Sequence, residues 1–184
     1  MAIQMPRLAQ THIPVQISPM RFLLFGLALY LTTPAQAQLT PPAPKPIIGA
    51  RHPALSPDGQ RLAFVYRGDI WLAASKGGRA RPLTFHLEYD AYPVFSPDGH
   101  WIAFASKRHG QWDIFVIPAE GGQARRLTWH SGHEIPFGWS PNGQHIAFGA
   151  RRDSPRYCLM SVEVSTYKSK VLVEDYAALR YPRW

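Results

Sequence analysis

One serine of this chain lies in a sequence similar to that of a hydrolase nucleophile. Ser140 occurs in GWSPNG, residues 138–143. A nucleophile elbow requires G-x-S-x-G on a sharp turn between a strand and a helix, whereas here Gly143 comes one residue too late. Ser56 and Ser96 occupy the same place in two sequences like this one, ALSPDG and VFSPDG. We therefore predict that the serine belongs to a turn and that the chain carries no catalytic residue.

A pair of histidines, His130 and His133 in HSGHE, could be interpreted as metal ligands. The zinc-peptidase pattern H-E-x-x-H on a helix is absent. His86 precedes His130 by 44 residues and occupies an equivalent position. That equivalence favours an imidazole that braces a loop, so we predict neither a metal site nor a cofactor.

These residues lie within internal repeats. ALSPDGQRLAFV, VFSPDGHWIAFA and GWSPNGQHIAFG begin at residues 54, 94 and 138. Later landmarks recur 44 residues apart: Asp-Ile at 69 and 113, Gly-Gly at 77 and 121, and Leu-Thr at 83 and 127. The first spacing of the SPDG turn, from Ser56 to Ser96, is four residues shorter, because YRGD becomes SKRHGQWD in the second copy. We interpret this difference as one hairpin loop that is longer in the second copy.

The repeats predict an all-β protein. The second copy is expected to form four short strands, Tyr92–Phe95, Trp101–Ser106, Asp113–Ile117 and Ala124–Thr128. The second strand is apolar at both its odd and its even positions, which face opposite sides of the sheet. This indicates a sheet covered on both faces. Four-stranded units of this length, each covered by its neighbours, predict a β-propeller; a two-sheet sandwich would not explain the period. The expected blades are 48–88, 89–132 and 133–178, followed by the first strand of another at 179–184.

Loops that link consecutive blades should emerge on the same face as the loops between second and third strands. This face, which we call the loop rim, collects Phe85–Tyr92, Lys107–Trp112 and Trp129–Phe137. Its acidic, basic and aromatic side chains could hold an extended peptide or protein ligand, or could form an ordinary hydrated rim. The candidate binding residues are His86, Glu88, Tyr89, Asp90, Arg108, His109, Trp112, His130, His133 and Glu134.

The N-terminus predicts export. Arg21 precedes the apolar run 22–31, and Ala35-Gln36-Ala37 has the small-x-small pattern of a signal-peptidase site. The run is too short to span a membrane. We therefore expect a signal peptide over 1–37, cleaved near Ala37 and Gln38, with a natural start at Met20, a proline-rich linker over 38–47, and a periplasmic or secreted protein without a stable membrane span.

Composition limits the other classes. The single cysteine, Cys158, excludes an internal disulfide framework. The formal net charge of +8 and basic pairs such as Arg125-Arg126 could suit nucleic acid. Spaced pairs in turns are more typical of solvated surface, and an exported protein rarely meets nucleic acid, so no nucleic-acid partner is predicted.

The phrases YRGDIWLAASKGGRARPLTFH, SKRHGQWDIFVIPAEGGQARRLTWHS and EIPFGWSPNG resemble the N-terminal propeller repeats of secreted tricorn-like serine peptidases. The resemblance extends over residues 48–150 and more weakly over 151–184. It implies a non-catalytic scaffold and substrate filter, preceding further propeller, PDZ and peptidase regions. The repeat motif is shared with TolB-like propellers, which implies the alternative of a periplasmic interaction protein without enzymatic activity. Because YPRW at 181–184 aligns with YPVF at 92–95, we expect a longer parent chain.

Overall fold

The computed structural model describes residues 45–152 and 157–174. Within these ranges the chain forms strands, turns and loops, with no helix. The strands of the first two sheets are β1 (Arg51–Leu55), β2 (Arg61–Tyr66), β3 (Asp69–Ala74), β4 (Arg81–Pro82), β5 (Asp90–Phe95), β6 (Trp101–Ser106), β7 (Asp113–Pro118) and β8 (Arg125–Arg126). Those of the third sheet are β9 (Glu134–Trp139), β10 (His145–Ala150), β11 (Cys158–Glu163) and β12 (Ser169–Val173).

The strands form three four-stranded antiparallel sheets, each in the order of the sequence. The first strand of each later sheet packs across the sheet before it: β5 contacts β1, β2 and β3, and β9 contacts β5, β6 and β7. This arrangement of successive four-stranded blades is that of an incomplete β-propeller, which confirms the predicted fold class.

The apolar second strand of the middle blade, β6, is covered on both faces by neighbouring blades, as its sequence predicted. In β6, Ala103 and Phe104 are fully buried and belong to different core clusters. Phe104 packs between the first and second sheets, and Ala103 packs between the second and third. Each fully buried large apolar side chain contributes about 1.5–3 kcal/mol, so the two inter-blade layers hold the sheets together.

The boundaries of three strands differ from the prediction. β7 ends at Pro118, one residue later than predicted. β5 begins at Asp90, two residues early, because Asp90 and Ala91 pair with Ser106 and Ala105 before a β-bulge shifts the register. β8 is limited to Arg125–Arg126. The predicted strand to Thr128 was wrong there, because the hydroxyl of Thr128 accepts a hydrogen bond from the backbone N–H of Ile114 in place of ladder pairing.

The SPDG turns explain the recurring serine. The hydroxyl of Ser96 accepts the backbone N–H of Trp101 at 2.9 Å and donates to the carboxylate of Asp98. Gly99 adopts a φ of 71°, a left-handed conformation that favours glycine. Ser140 is bound in the same way to His145 and Asn142. The structure thus places this serine within a turn in each blade.

Three expectations from the sequence lie outside the described residues. They are the signal peptide over 1–37, most of the linker over 38–47, and the strand expected at 179–184.

Candidate functional site

The loop rim lies at the end of the sheets where first strands begin and second strands end. Asp90 pairs with Ser106, and Ser106 with Asp113, so all three share this end of the second sheet. The corresponding residues of the third sheet are Glu134 and Ala150. The chain leaves the sheets here through 83–89, 107–112 and 127–133, so antiparallel pairing brings these loops to the same end.

Two acidic candidates of the rim form buried ion pairs. Asp90 and Glu134 each have 0% relative exposure, although both begin a strand next to a loop. Arg108 Nη2 lies 2.7 Å from Asp90 Oδ2, and Arg152 Nη2 lies 2.7 Å from Glu134 Oε1. Both pairs join the start of a first strand to the chain that follows the second strand. Their immediate role is therefore to fix the loop between the second and third strands onto the blade.

Arg108 also packs against apolar side chains. Its guanidinium carbon lies 5.3 Å from the ring centroid of Phe115 and 5.7 Å from that of Phe104. The same position in the third blade is held by Arg152, 5.7 Å from the ring centroid of Phe148. A planar guanidinium can stack on a ring and donate to a carboxylate at once, which suits arginine to this enclosed position.

A third buried acid explains the repeated Asp-Ile and Leu-Thr landmarks. Asp113 is fully buried, and Arg126 Nη2 lies 2.8 Å from its Oδ2. In the first blade the Thr84 hydroxyl accepts the N–H of Ile70 at 2.9 Å and donates to Asp69. The landmarks therefore mark one hydrogen-bonded corner between the third strand and the chain after the fourth.

Burial dominates the electrostatics of Asp113 and Glu134. It raises the pKa of Asp113, against the lowering effect of Arg126. It also raises the pKa of Glu134, although the Thr128 hydroxyl and Arg152 both favour the carboxylate. Desolvation disfavours a charge even where a partner is present. These carboxyl groups thus retain a proton at a higher pH than exposed ones do.

Three of the four histidines in the candidate set, His86, His130 and His133, support loops. His86 Nδ1 accepts the N–H of Glu88, and His130 Nδ1 accepts the N–H of Gly132, both at 3.0 Å. In both cases the imidazole accepts the N–H of the residue two positions later, which confirms the predicted role of these histidines in bracing a loop. His133 Nδ1 accepts the N–H of Trp112 at 3.2 Å, which connects the rim loops of adjacent blades. Within the ranges that the structure describes, no cluster of three His, Cys, Asp or Glu side chains could hold a metal ion.

The remaining candidates form the exposed part of the rim. Tyr89 is exposed and its ring lies over Gly68. His109 is exposed and stacks on Phe115 with ring centroids 6.2 Å apart. Trp112 is half-buried, with Lys107 Nζ 5.0 Å from its ring centroid. These side chains, together with the exposed Glu88, face solvent and could contact a ligand.

Sequence reasoning named Asp90, Arg108 and Glu134 as candidates. It missed Arg152, and it missed the buried pair of Asp113 and Arg126. A signal was present: Asp90 and Glu134 are 44 residues apart, and so are Arg108 and Arg152. Two oppositely charged positions that recur with the same offset indicate a repeated pair. No helix in the described part of the chain is long and apolar enough to cross a membrane.

Stacked four-stranded blades with ion-paired loops on one rim define a β-propeller of the SPDG-repeat class. A family model described as the tricorn protease N-terminal β-propeller domain matches residues 50–180. The chain belongs to this family.

Curated relatives agree with this assignment over short segments. The chain is 48% identical over 59 residues to tricorn protease homolog 2 of Streptomyces coelicolor, which covers 32% of this chain and 5% of that protein. It is 34% identical over 74 residues to the peptidase YuxL of Bacillus subtilis, covering 35% of this chain and 11% of that protein. The chain thus matches only a small part of either relative.

Solved structures show the same architecture. A TolB from Agrobacterium tumefaciens superposes with a TM-score of 0.62 at 25% identity, over 70% of this chain and 50% of that one. The tricorn protease superposes with a TM-score of 0.52 at 26% identity, over 62% of this chain and 12% of that one.

Proposed function

We propose that this chain is the N-terminal propeller region of a larger tricorn-like serine peptidase, in which it is a non-catalytic scaffold and filter for peptide substrates. The observation that carries the proposal is the family match over residues 50–180. The identity to the Streptomyces tricorn homologue, a far longer protein, supports it. Catalysis would reside in peptidase regions of the parent chain, alongside further propeller and PDZ regions.

The loop rim is the proposed contact surface for peptide. Its framework is fixed by the pairs Asp90–Arg108 and Glu134–Arg152, whereas Glu88, Tyr89 and His109 are exposed. A rigid framework that carries exposed polar and aromatic side chains is suited to holding an extended ligand at little entropic cost.

The first test is to sequence the gene beyond the codon for Trp184. A continuous frame that encodes PDZ and serine-peptidase regions is expected, and a stop codon there would refute the proposal. The second test compares the full-length peptidase with a Glu88→Ala/His109→Ala variant on short and long peptides. Both side chains are exposed, so an unchanged melting temperature with altered length selectivity is expected. Equal selectivity would remove the rim from the filtering role.

A second candidate is a TolB-like interaction propeller without enzymatic activity. The superposition on the Agrobacterium TolB favours it, since its TM-score exceeds that of the tricorn protease. The gene sequence separates the two, because this candidate requires a frame that ends after a few more blades.

We also propose that the protein is exported to the periplasm or beyond. The support is the sequence pattern over 21–37. N-terminal sequencing of the exported protein should begin near Gln38, and a different start would contradict the proposed cleavage site.

A further inference from the structure

A cleft of about 330 Å³ lies at the boundary of the second and third blades. Trp129 and His130 of the loop rim belong to its lining, whereas Glu88, Tyr89 and His109 do not. Its lining includes Trp129, after the fourth strand of one blade, and Tyr167, in the last hairpin of the next. Their rings meet edge to face with centroids 5.7 Å apart. Trp129 nonetheless remains 58% exposed and Tyr167 38% exposed, so much of each ring faces solvent.

Guanidinium groups surround these rings. Arg125 Nη1 donates to Tyr167 Oη at 3.2 Å, and its guanidinium carbon lies 5.5 Å from the tyrosine centroid. The guanidinium carbon of Arg126 lies 5.7 Å from the centroid of Trp129. Arg126 is neutralised by the buried Asp113, whereas Arg125 has an exposed side chain and no ion pair within the described residues. The two exposed aromatic rings of the cleft therefore lie next to one uncompensated cation, Arg125, which contacts Tyr167 from beside the lining.

The hairpin that carries Tyr167 differs from its counterparts. The first two blades have Gly77-Gly78 and Gly121-Gly122 there, all with positive φ. Tyr167 keeps a φ of 63° in the third blade, a conformation that is uncommon for a bulky residue. Backbone strain of this kind recurs at binding sites, where the surrounding structure holds it.

The first blade boundary provides a natural comparison. Phe85 occupies the position of Trp129 and is also highly exposed. Arg81 occupies the position of Arg125, but its partners are the carbonyl oxygen of Ala119 and the carboxylate of Glu120. That boundary lacks the second ring, and a carboxylate already lies 4.0 Å from its guanidinium. Of the two blade boundaries that the structure describes, only the second combines two aromatic rings with an uncompensated cation.

We infer that this cleft binds a polypeptide segment in which an aromatic side chain is flanked by acidic residues. The aromatic side chain packs on Trp129 and Tyr167, and a neighbouring carboxylate pairs with Arg125. Tryptophan, tyrosine and arginine are the residues that most often dominate binding energy at interfaces. The inference does not depend on whether the parent chain is a peptidase.

The test is calorimetric titration of the full-length parent protein with a terminally blocked pentapeptide of glycine, aspartate, phenylalanine, glutamate and glycine. Blocked ends exclude recognition of a terminal carboxylate. We expect Trp129→Ala and Arg125→Glu each to weaken binding by at least about tenfold. The matched control Phe85→Ala removes an equally placed ring and should change the affinity less than about twofold. Substituting lysine for both acids, or glycine for phenylalanine, in the peptide should also abolish binding.

Trp129→Phe is the control that separates loss of binding from misfolding. It keeps a ring and should retain most of the affinity with an unchanged melting temperature. The inference is overturned if the peptide does not bind at millimolar concentration. It is also overturned if Trp129→Ala and Phe85→Ala have equal effects, or if the lysine peptide binds as well. A fourth contrary outcome is that Trp129→Ala only reduces self-association in sedimentation, which would make the cleft a contact between copies.

Discussion

Removing Arg152 should destabilise the third blade strongly at neutral pH and weakly in mild acid. Arg152→Met deletes the cation that lies 2.7 Å from Glu134 Oε1 and leaves a carboxyl group with 0% exposure. At an effective dielectric constant of 20, the gross attraction across that distance is about 6 kcal/mol. The carboxylate cannot turn to water, so the variant relieves the cost by taking up a proton.

Proton uptake sets an upper limit on the electrostatic cost. In the unfolded chain the pKa of Glu134 is near the ordinary glutamate value of 4.5. Keeping it protonated in the folded variant at pH 7 therefore costs about 3.4 kcal/mol, since each pH unit above the unfolded pKa adds about 1.4 kcal/mol. At pH 5 the same cost falls to about 0.7 kcal/mol.

Burial raises the pKa of Glu134 in the folded protein, and this sets the direction in which stability changes with pH. When the folded pKa is above the unfolded one, the group contributes most to stability below the unfolded pKa. That contribution is lost as the pH rises through the folded pKa. Removing Arg152 raises the folded pKa further, so the loss becomes larger and extends to higher pH.

Hydrogen exchange followed by mass spectrometry measures the opening free energy of β9 and β10 within the whole protein. Arg151→Met is the matched control, because Arg151 is an exposed neighbour whose contact is the ring of Tyr157. Glu134→Gln should cost only about 1 kcal/mol, with little dependence on pH, because Arg152 is 24% exposed and can reach water. Equal effects of Arg152→Met and Arg151→Met, or an equal cost at pH 5 and pH 7, would contradict this prediction.

Three further outcomes are expected. Ser96→Ala should lower the free energy of unfolding by about 1–2 kcal/mol, because its hydroxyl makes two hydrogen bonds in the turn, whereas Asp98→Asn should be nearly neutral in a denaturant titration. Thr128→Val should cost about 1–3 kcal/mol by leaving the buried N–H of Ile114 unpaired, while Thr128→Ser should retain the protection of that amide against exchange. Isolated residues 38–184 should self-associate or remain partly unfolded, because apolar blade faces that pack against a neighbouring blade in a closed propeller would be exposed to water. A compact monomer in sedimentation with a sharp thermal melt would contradict this.

The fold was predictable because the same local structures are encoded at equivalent positions in each repeat. The turn residues, the apolar second strands and the braced loops at His86 and His130 each recur at equivalent positions. One occurrence of any of these patterns would be ambiguous. Recurrence separates a structural role from chance, which is why the serine at Ser140 could be assigned to a turn.

The short fourth strand and the cleft at Trp129 could not be predicted in the same way. β8 ends early because the hydroxyl of Thr128 bonds the N–H of Ile114, and a strand pattern does not reveal that competition. The cleft depends on Tyr167, which lies in a hairpin without the Gly-Gly of the other copies. Contacts made by a segment that departs from the repeat have no second example from which to infer them.

The four-residue insertion in the second blade occurs together with a buried acid at the start of the first strand. The longer loop supplies Arg108, which neutralises the buried Asp90. The first blade has the short loop at Arg67-Gly68, and Ala50 stands where Asp90 stands in the second. A carboxylate at that position without a guanidinium would be buried and unpaired, at a cost of several kcal/mol. Acid and long loop must therefore occur together, and the third blade, which has Glu134 and Arg152, has both.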